Sequence, residues 1–229
     1  MNRLKKILIL LLLSTSVLFI YNHTKNTKDV ITNIGDTLSL GINSYGIKTK
    51  SYVDYYKEYL EKTKNEVIVN NHYSNKKQSI SNTLNLIKTN PNIKRCLYDS
   101  NILIITLGYN DILYNILVEE NITDSRYKSI MNSIIQEYDE LIKEIKKYYH
   151  EQILVIGYYE YNKDNFYIQE GIKELNEYLK NNKEITYIDT YNLLKNKTKY
   201  FDNPSSYYPN QEAYLLISNK ISEKTLEKS

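Results

Sequence analysis

The 229-residue sequence holds one cysteine, three histidines and no tryptophan. With Cys96 alone, an internal disulfide cannot form and a cysteine-based metal cluster is excluded; a single thiol reads as a small core hydrophobe. A glycine-rich phosphate loop is missing, and so is any His/Asp grouping with ligand spacing, so no metal and no other cofactor is expected. His23, His72 and His150 are the whole supply of imidazole, which limits the choice of a catalytic base. Charge of one sign is also lacking. The 30 basic and 27 acidic residues are interleaved and leave a net charge of +3, so nothing favours a nucleic-acid partner. No internal repeat and no break in composition marks a second globular domain.

What is present is a hydrophobic fraction of 41%, enough for one full-sized domain and an appendage. The 25 tyrosines stand against three phenylalanines. Together with abundant Asn, Lys and Ile they read as the usage of an AT-rich genome; an aromatic carbohydrate-binding surface is the other reading. At the N-terminus Arg3, Lys5 and Lys6 precede an apolar run from Ile7 to Tyr21, followed at once by Asn22, His23, Thr24 and Lys25. Basic flank, apolar run and polar linker in that order make an export or anchor signal. There is no Ala-x-Ala-like cleavage site and no lipobox cysteine, and Ser14 and Ser16 lie inside the run. Fifteen residues fall just short of the roughly 17–25 of a spanning helix, a deficit that snorkelling of Lys5 and Lys6 relieves. The expectation is an uncleaved single-pass membrane anchor, an N-terminal apolar helix with basic residues inside and the domain extracytoplasmic. Secretion after cleavage is the alternative. Residues 1–28 are then anchor and linker, and 29–229 the domain.

Within the domain, short apolar runs alternate with amphipathic stretches. Strands are predicted at Val30–Ile34, Glu66–Asn70, Asn101–Leu107, Ile153–Gly157 and Ile185–Asp189. Asn101–Leu107 is a continuous β-branched run that should be buried on both faces. Helical spacing joins Tyr52, Tyr55, Tyr56, Tyr59 and Leu60, and then Ile80, Leu84 and Ile87 up to a stop before Pro91. A long helix covers about Ser125–Tyr149, another carries Ile168, Ile172, Leu175 and Leu179, and the last carries Ala213, Leu216, Ile217 and Ile221. Five strands alternating with helices imply βαβ units, a parallel sheet covered on both faces, and a site at the carboxyl ends of the strands. The segments Gly35-Asp36-Thr37, Asn70–Asn75 and Gly108–Asp111 all follow strand ends.

Three blocks in order carry a resemblance: Gly35-Asp36-Thr37-Leu38-Ser39 after the first strand, Gly108-Tyr109-Asn110-Asp111 after the third, and Tyr208-Pro209-Asn210 opening the last helix. The chain resembles the SGNH/GDSL hydrolases over about residues 29–225, as a degenerate member. The resemblance implies a three-layer α/β/α, flavodoxin-like sandwich with a five-stranded parallel sheet. It also implies descent from esterases, lipases and carbohydrate deacetylases. In that family a serine of the Gly-Asp block attacks an acyl carbon, a C-terminal histidine activates it, and an aspartate three residues earlier orients the imidazole. The serine N–H, a loop glycine and the asparagine of Gly-x-Asn-Asp hold the oxyanion.

Carried over by position, the nucleophile slot is Thr37, whose extra methyl and stiff χ1 make it harder to aim. Asn75 stands where the loop glycine is expected, and Asn110 matches the oxyanion asparagine. Tyr208 stands in the histidine slot and Ser205 in the aspartate slot. A phenol with a pKa of about 10 is no ready base at neutral pH. His72 follows the second strand and is the one candidate for a rescue base, whereas Ser39 should fall inside the first helix. Asp36 and Asp111 are expected to cap the helices that follow them. The residues favour a hydrolase-like protein without hydrolysis that binds a glycan, an acyl ester or a peptide, or serves the cell envelope. The alternative is an active esterase or deacetylase using Thr37 with His72 or with Tyr208.

Overall fold

Five parallel strands form one sheet in the order β2-β1-β3-β4-β5. They are β1 (Asp29–Gly35), β2 (Val67–Asn70), β3 (Ile102–Thr106), β4 (Ile153–Ile156) and β5 (Thr186–Ile188). The computed structural model describes residues 28–62, 66–159, 165–195, 197–203 and 208–226. All five predicted strands form, because each is a short β-branched run closed by Gly or a polar residue. Consecutive residues of β3 and β4 are buried, which requires cover on both faces of the sheet.

Eight α-helices provide that cover among the described residues: α1 (Tyr52–Glu61), α2 (Ile80–Thr89), α3 (Pro91–Tyr98), α4 (Tyr109–Leu117), α5 (Asp124–Ile145), α6 (Phe166–Asn181), α7 (Thr190–Leu194) and α8 (Gln211–Leu226). One group has α1 and α7 packed on α8. In the other, α5 packs against α2, α4 and α6. Helix α1 starts where the sequence carries a reciprocal cap: Ser51 Oγ accepts from Asp54 N at 3.3 Å and Asp54 Oδ2 accepts from Ser51 N at 2.8 Å. The predicted stop before Pro91 is real, since α2 ends at Thr89. Pro91 is also a start. It occupies the first turn of α3 behind an Asn90 cap, a place where its missing N–H costs nothing.

The segment after β1 departs from expectation. The first helix begins only at Tyr52, so residues 36–41 form successive turns and Ser39 lies buried in one of them. Many tyrosines prove to be core residues. Tyr52, Tyr56, Tyr138, Tyr149, Tyr158, Tyr159 and Tyr214 are fully buried, and most of them tie their phenol to a nearby polar group. The apolar run Ile7–Tyr21, expected as a helix, lies outside the described residues, as do His23 and Ser205. Among the described residues no helix is long and apolar enough to cross a membrane.

Register places the site. β1 and β3 pair from Ile31 opposite Ile102 to Gly35 opposite Thr106, so both strands end at one edge. The chain leaves β1 toward β2 on one side and returns to β3 on the other, and the crevice of such a sheet opens between those two strands.

Candidate functional site

Gly35 ends β1 in a place without room for a side chain. A Cβ there would stand 2.8 Å from Thr106 O and 2.9 Å from Ser39 Cβ. The backbone then turns sharply, with Asp36 N donating to Thr106 O at 3.1 Å and Ser39 Oγ donating to Asp36 O at 2.6 Å. Asp36 is buried and caps this turn rather than a helix: its Oδ1 accepts from Leu38 N at 3.0 Å. Its Oδ2 accepts from Tyr158 OH at 2.5 Å. Burial pushes the Asp36 carboxyl up to about 7, although the bonds from Tyr158 and Leu38 act in the opposite direction.

Gly108 opens α4 with φ +120°, a conformation that side chains avoid, and a Cβ there would meet Leu175 at 2.5 Å. This turn aims Asn110 and Asp111 back toward the β2–α2 loop. Asp111 accepts from Ile80 N with both oxygens, each at 3.1 Å, so it caps α2 rather than the helix it belongs to. Burial raises its carboxyl to about 6.

The β2–α2 loop runs between these two turns and is bonded to both. Asn33 Nδ2 donates to Asn71 Oδ1 at 2.9 Å, Ser74 Oγ donates to Asn33 O at 3.0 Å, and Asn75 N donates to Gly35 O at 3.0 Å. Asn75 Nδ2 donates to Gln78 Oε1. On the other side, Asn110 Nδ2 donates to Lys76 O at 3.1 Å and to Gln78 O at 2.8 Å. Thr37 Oγ1 reaches the same Lys76 carbonyl in a long contact of 3.5 Å. One backbone carbonyl therefore sits between Thr37 and Asn110.

The C-terminal block joins this edge through Ser44, whose Oγ donates to Tyr208 O at 2.6 Å and accepts from Asp202 N at 3.2 Å. Tyr214 OH adds a bond to Ile42 O at 2.7 Å. Asp202 is itself held by Asn210 Nδ2 at 2.7 Å. Tyr208 is half-buried and packs on the core. His72 is exposed and makes no hydrogen bond or ion pair among the described residues. No group of three or more His, Cys, Asp or Glu able to hold a metal ion is found among the described residues.

The sequence model of the GDSL-like lipase/acylhydrolase family matches residues 31–221. The chain belongs to this family. A search of curated protein sequences finds no match. Solved structures similar to the chain include the lipase Lip_vut3 from a goat rumen metagenome, with 19% identity, a TM-score of 0.72, and 86% of this chain and 97% of that one covered. A lipase/acylhydrolase from Enterococcus faecalis has 19% identity and a TM-score of 0.60, with 87% and 96% covered. A catalytic mutant of an acetylxylan esterase from Geobacillus stearothermophilus has 14% identity and a TM-score of 0.63, with 87% and 94% covered. At these identities the likeness concerns the fold.

In this GDSL-like domain the first two blocks and the β2–α2 loop meet around the Lys76 carbonyl, and the third is tied to the loop that follows the first. Two of the three oxyanion donors that the family resemblance implies, Asn75 N–H and the Asn110 amide, are bonded to carbonyls of the chain itself. The third, Thr37 N–H, makes no hydrogen bond among the described residues. Sequence reasoning missed Tyr158, which donates to Asp36 and is fixed in turn by Asn176: Nδ2 donates to Tyr158 O at 2.6 Å and Oδ1 accepts from Tyr158 N at 2.9 Å. The signal was available, since Gly157-Tyr158 follows β4 at the same strand edge as the other blocks.

Proposed function

We propose that this GDSL-like protein is held outside the cell membrane by its N-terminal segment and has exchanged ester hydrolysis for binding. The ligand of the former cleft is an acyl ester, a glycan or a peptide, classes for which the lipases and the acetylxylan esterase of like fold give the analogy. One observation carries the reading. The Asn110 amide, which should polarise a substrate carbonyl, spends both its hydrogens on Lys76 O and Gln78 O. A substrate carbonyl would have to displace a backbone carbonyl before it met those donors, and pre-aimed donors are a large part of acyl-transfer catalysis. Tyr208 in the base slot points the same way, because a phenol does not take a hydroxyl proton at neutral pH.

The test is hydrolysis of p-nitrophenyl acetate by the full-length protein in non-ionic detergent, beside Thr37→Ala and His72→Ala. Wild type should be no faster than Thr37→Ala. Removing a working nucleophile costs on the order of 10⁴-fold or more. A wild-type rate that collapses in Thr37→Ala would therefore overturn the proposal and restore the esterase reading, and a parallel collapse in His72→Ala would name the base.

A further inference from the structure

Away from the strand edge, the N-terminal turns of α5 and the facing side of α6 enclose an open groove of about 360 Å³. Three of its lining residues are aromatic. Phe166 is 66% exposed, an unusual state for a phenyl ring. Its ring lies 5.4 Å from that of Tyr167, which in turn lies 5.3 Å from that of Tyr127. The groove thus offers contiguous π-surface in a space the size of a small-molecule site.

The electrostatics narrow the ligand. Tyr167 OH donates to Asp124 Oδ1 at 2.8 Å and Tyr127 OH donates to Glu174 Oε2 at 2.9 Å. A phenol that donates to a carboxylate carries extra electron density on its ring, which strengthens attraction for a cation over the ring face. Asp124 and Glu174 form no ion pair among the described residues, whereas the other lining carboxylates, Glu170 and Glu177, are neutralised by Lys173 at 2.6 Å and Lys180 at 3.7 Å. Asp124 lies in the first turn of α5, the positive end of the helix dipole. Lys128 also lines the groove, forms no ion pair among the described residues, and competes for the same carboxylates.

We infer that the α5–α6 groove is a binding site for an alkylammonium cation, seated on the Phe166, Tyr127 and Tyr167 rings and neutralised by Asp124 and Glu174. An anion is disfavoured by the two uncompensated carboxylates. A neutral apolar ligand would gain from the rings but nothing from the charge. The site shares no residue with the strand-edge cleft and does not depend on what that cleft does.

Titration calorimetry of the full-length protein with choline, and with its neutral carbon isostere 3,3-dimethylbutan-1-ol, tests this. Choline should bind saturably, and at least about tenfold more tightly than the isostere, the factor that ~1.4 kcal/mol of cation–π and ionic attraction gives. Phe166→Ala and Glu174→Gln should each weaken choline several-fold with an unchanged thermal midpoint. Lys128→Ala should tighten it. Glycerophosphocholine separates the sources: weaker binding than choline indicates a free amine, and equal or tighter binding a lipid headgroup. No saturable choline binding, equal affinity for the isostere, or indifference to both weakening variants would overturn the inference.

Discussion

Asp36 is fully desolvated, yet it holds the turn after β1 through Leu38 and accepts a hydrogen bond from the Tyr158 phenol. Its carboxyl moves from an ordinary 3.8 to about 7 on folding. Between these values the native chain keeps the proton while the unfolded chain releases it. The unfolded state then binds fewer protons, so stability falls as pH rises from about 4 to 7 and levels off above. Asp111, raised to about 6, contributes with the same sign over a narrower window. Replacing Asp36 by Asn keeps an acceptor for Leu38 N and removes the titration. Urea unfolding at pH 5 and pH 8 should show wild type losing up to about 2–3 kcal/mol more than Asp36→Asn over that interval. Equal pH slopes for the two proteins would show that Asp36 is ionised in the fold. The motif identified Asp36 from sequence, but its role did not follow. Tyr158 lies 122 positions away, and no local pattern encodes that contact.

At the scale of elements, the β2–α2 loop and the start of α4 form one bonded unit. Asn110 fastens it through two carbonyls and Asp111 through Ile80 N. If the Asn110 amide is a fastener, Asn110→Ala leaves the Gln78 carbonyl without a partner. It should then destabilise the protein by ~2–3 kcal/mol. Asn110→Asp should cost more, since it sets a carboxylate against two carbonyl oxygens. Chemical denaturation measures both. A neutral Asn110→Ala would mean that the amide is free to polarise a substrate carbonyl, contrary to the loss of hydrolysis proposed above. The shorter α3, α4 and α7 carry too few turns to show a period, but the five strands and the helices α1, α2, α5, α6 and α8 were legible, because periodicity and β-branched runs are local. The β2–α2 fastening was not. Its acceptors are backbone carbonyls more than thirty residues from the donor, and a carbonyl has no letter in the sequence. Pro91 was read correctly as an end, and the helix that it also begins is marked by the Asn90 cap.

For the whole molecule, strand β1 links the N-terminal end of the domain to the site. Lys28, paired with Glu66 at 3.0 Å, leads directly into β1, and β1 runs from there to the cleft edge. Six strand residues, 29–34, separate the linker from Gly35, or roughly 20 Å at about 3.3 Å per residue. If residues 1–28 anchor the chain as proposed, the linker joins the sheet at the end opposite the cleft edge. The parallel order of the sheet gave that direction as soon as the strands were identified, whereas the anchor rests on charge and apolar pattern alone. Two measurements on cells expressing the full chain decide it. Membranes should retain the protein through alkaline carbonate extraction. In a Cys96→Ala background, Ile47→Cys should react with a membrane-impermeant maleimide on intact cells, because Ile47 is 60% exposed and follows Ser44, the residue that ties this loop to the C-terminal block. Recovery of the protein in the medium would replace the anchor with a cleaved signal. Labelling only after lysis would put the domain on the cytoplasmic side and refute the proposed location.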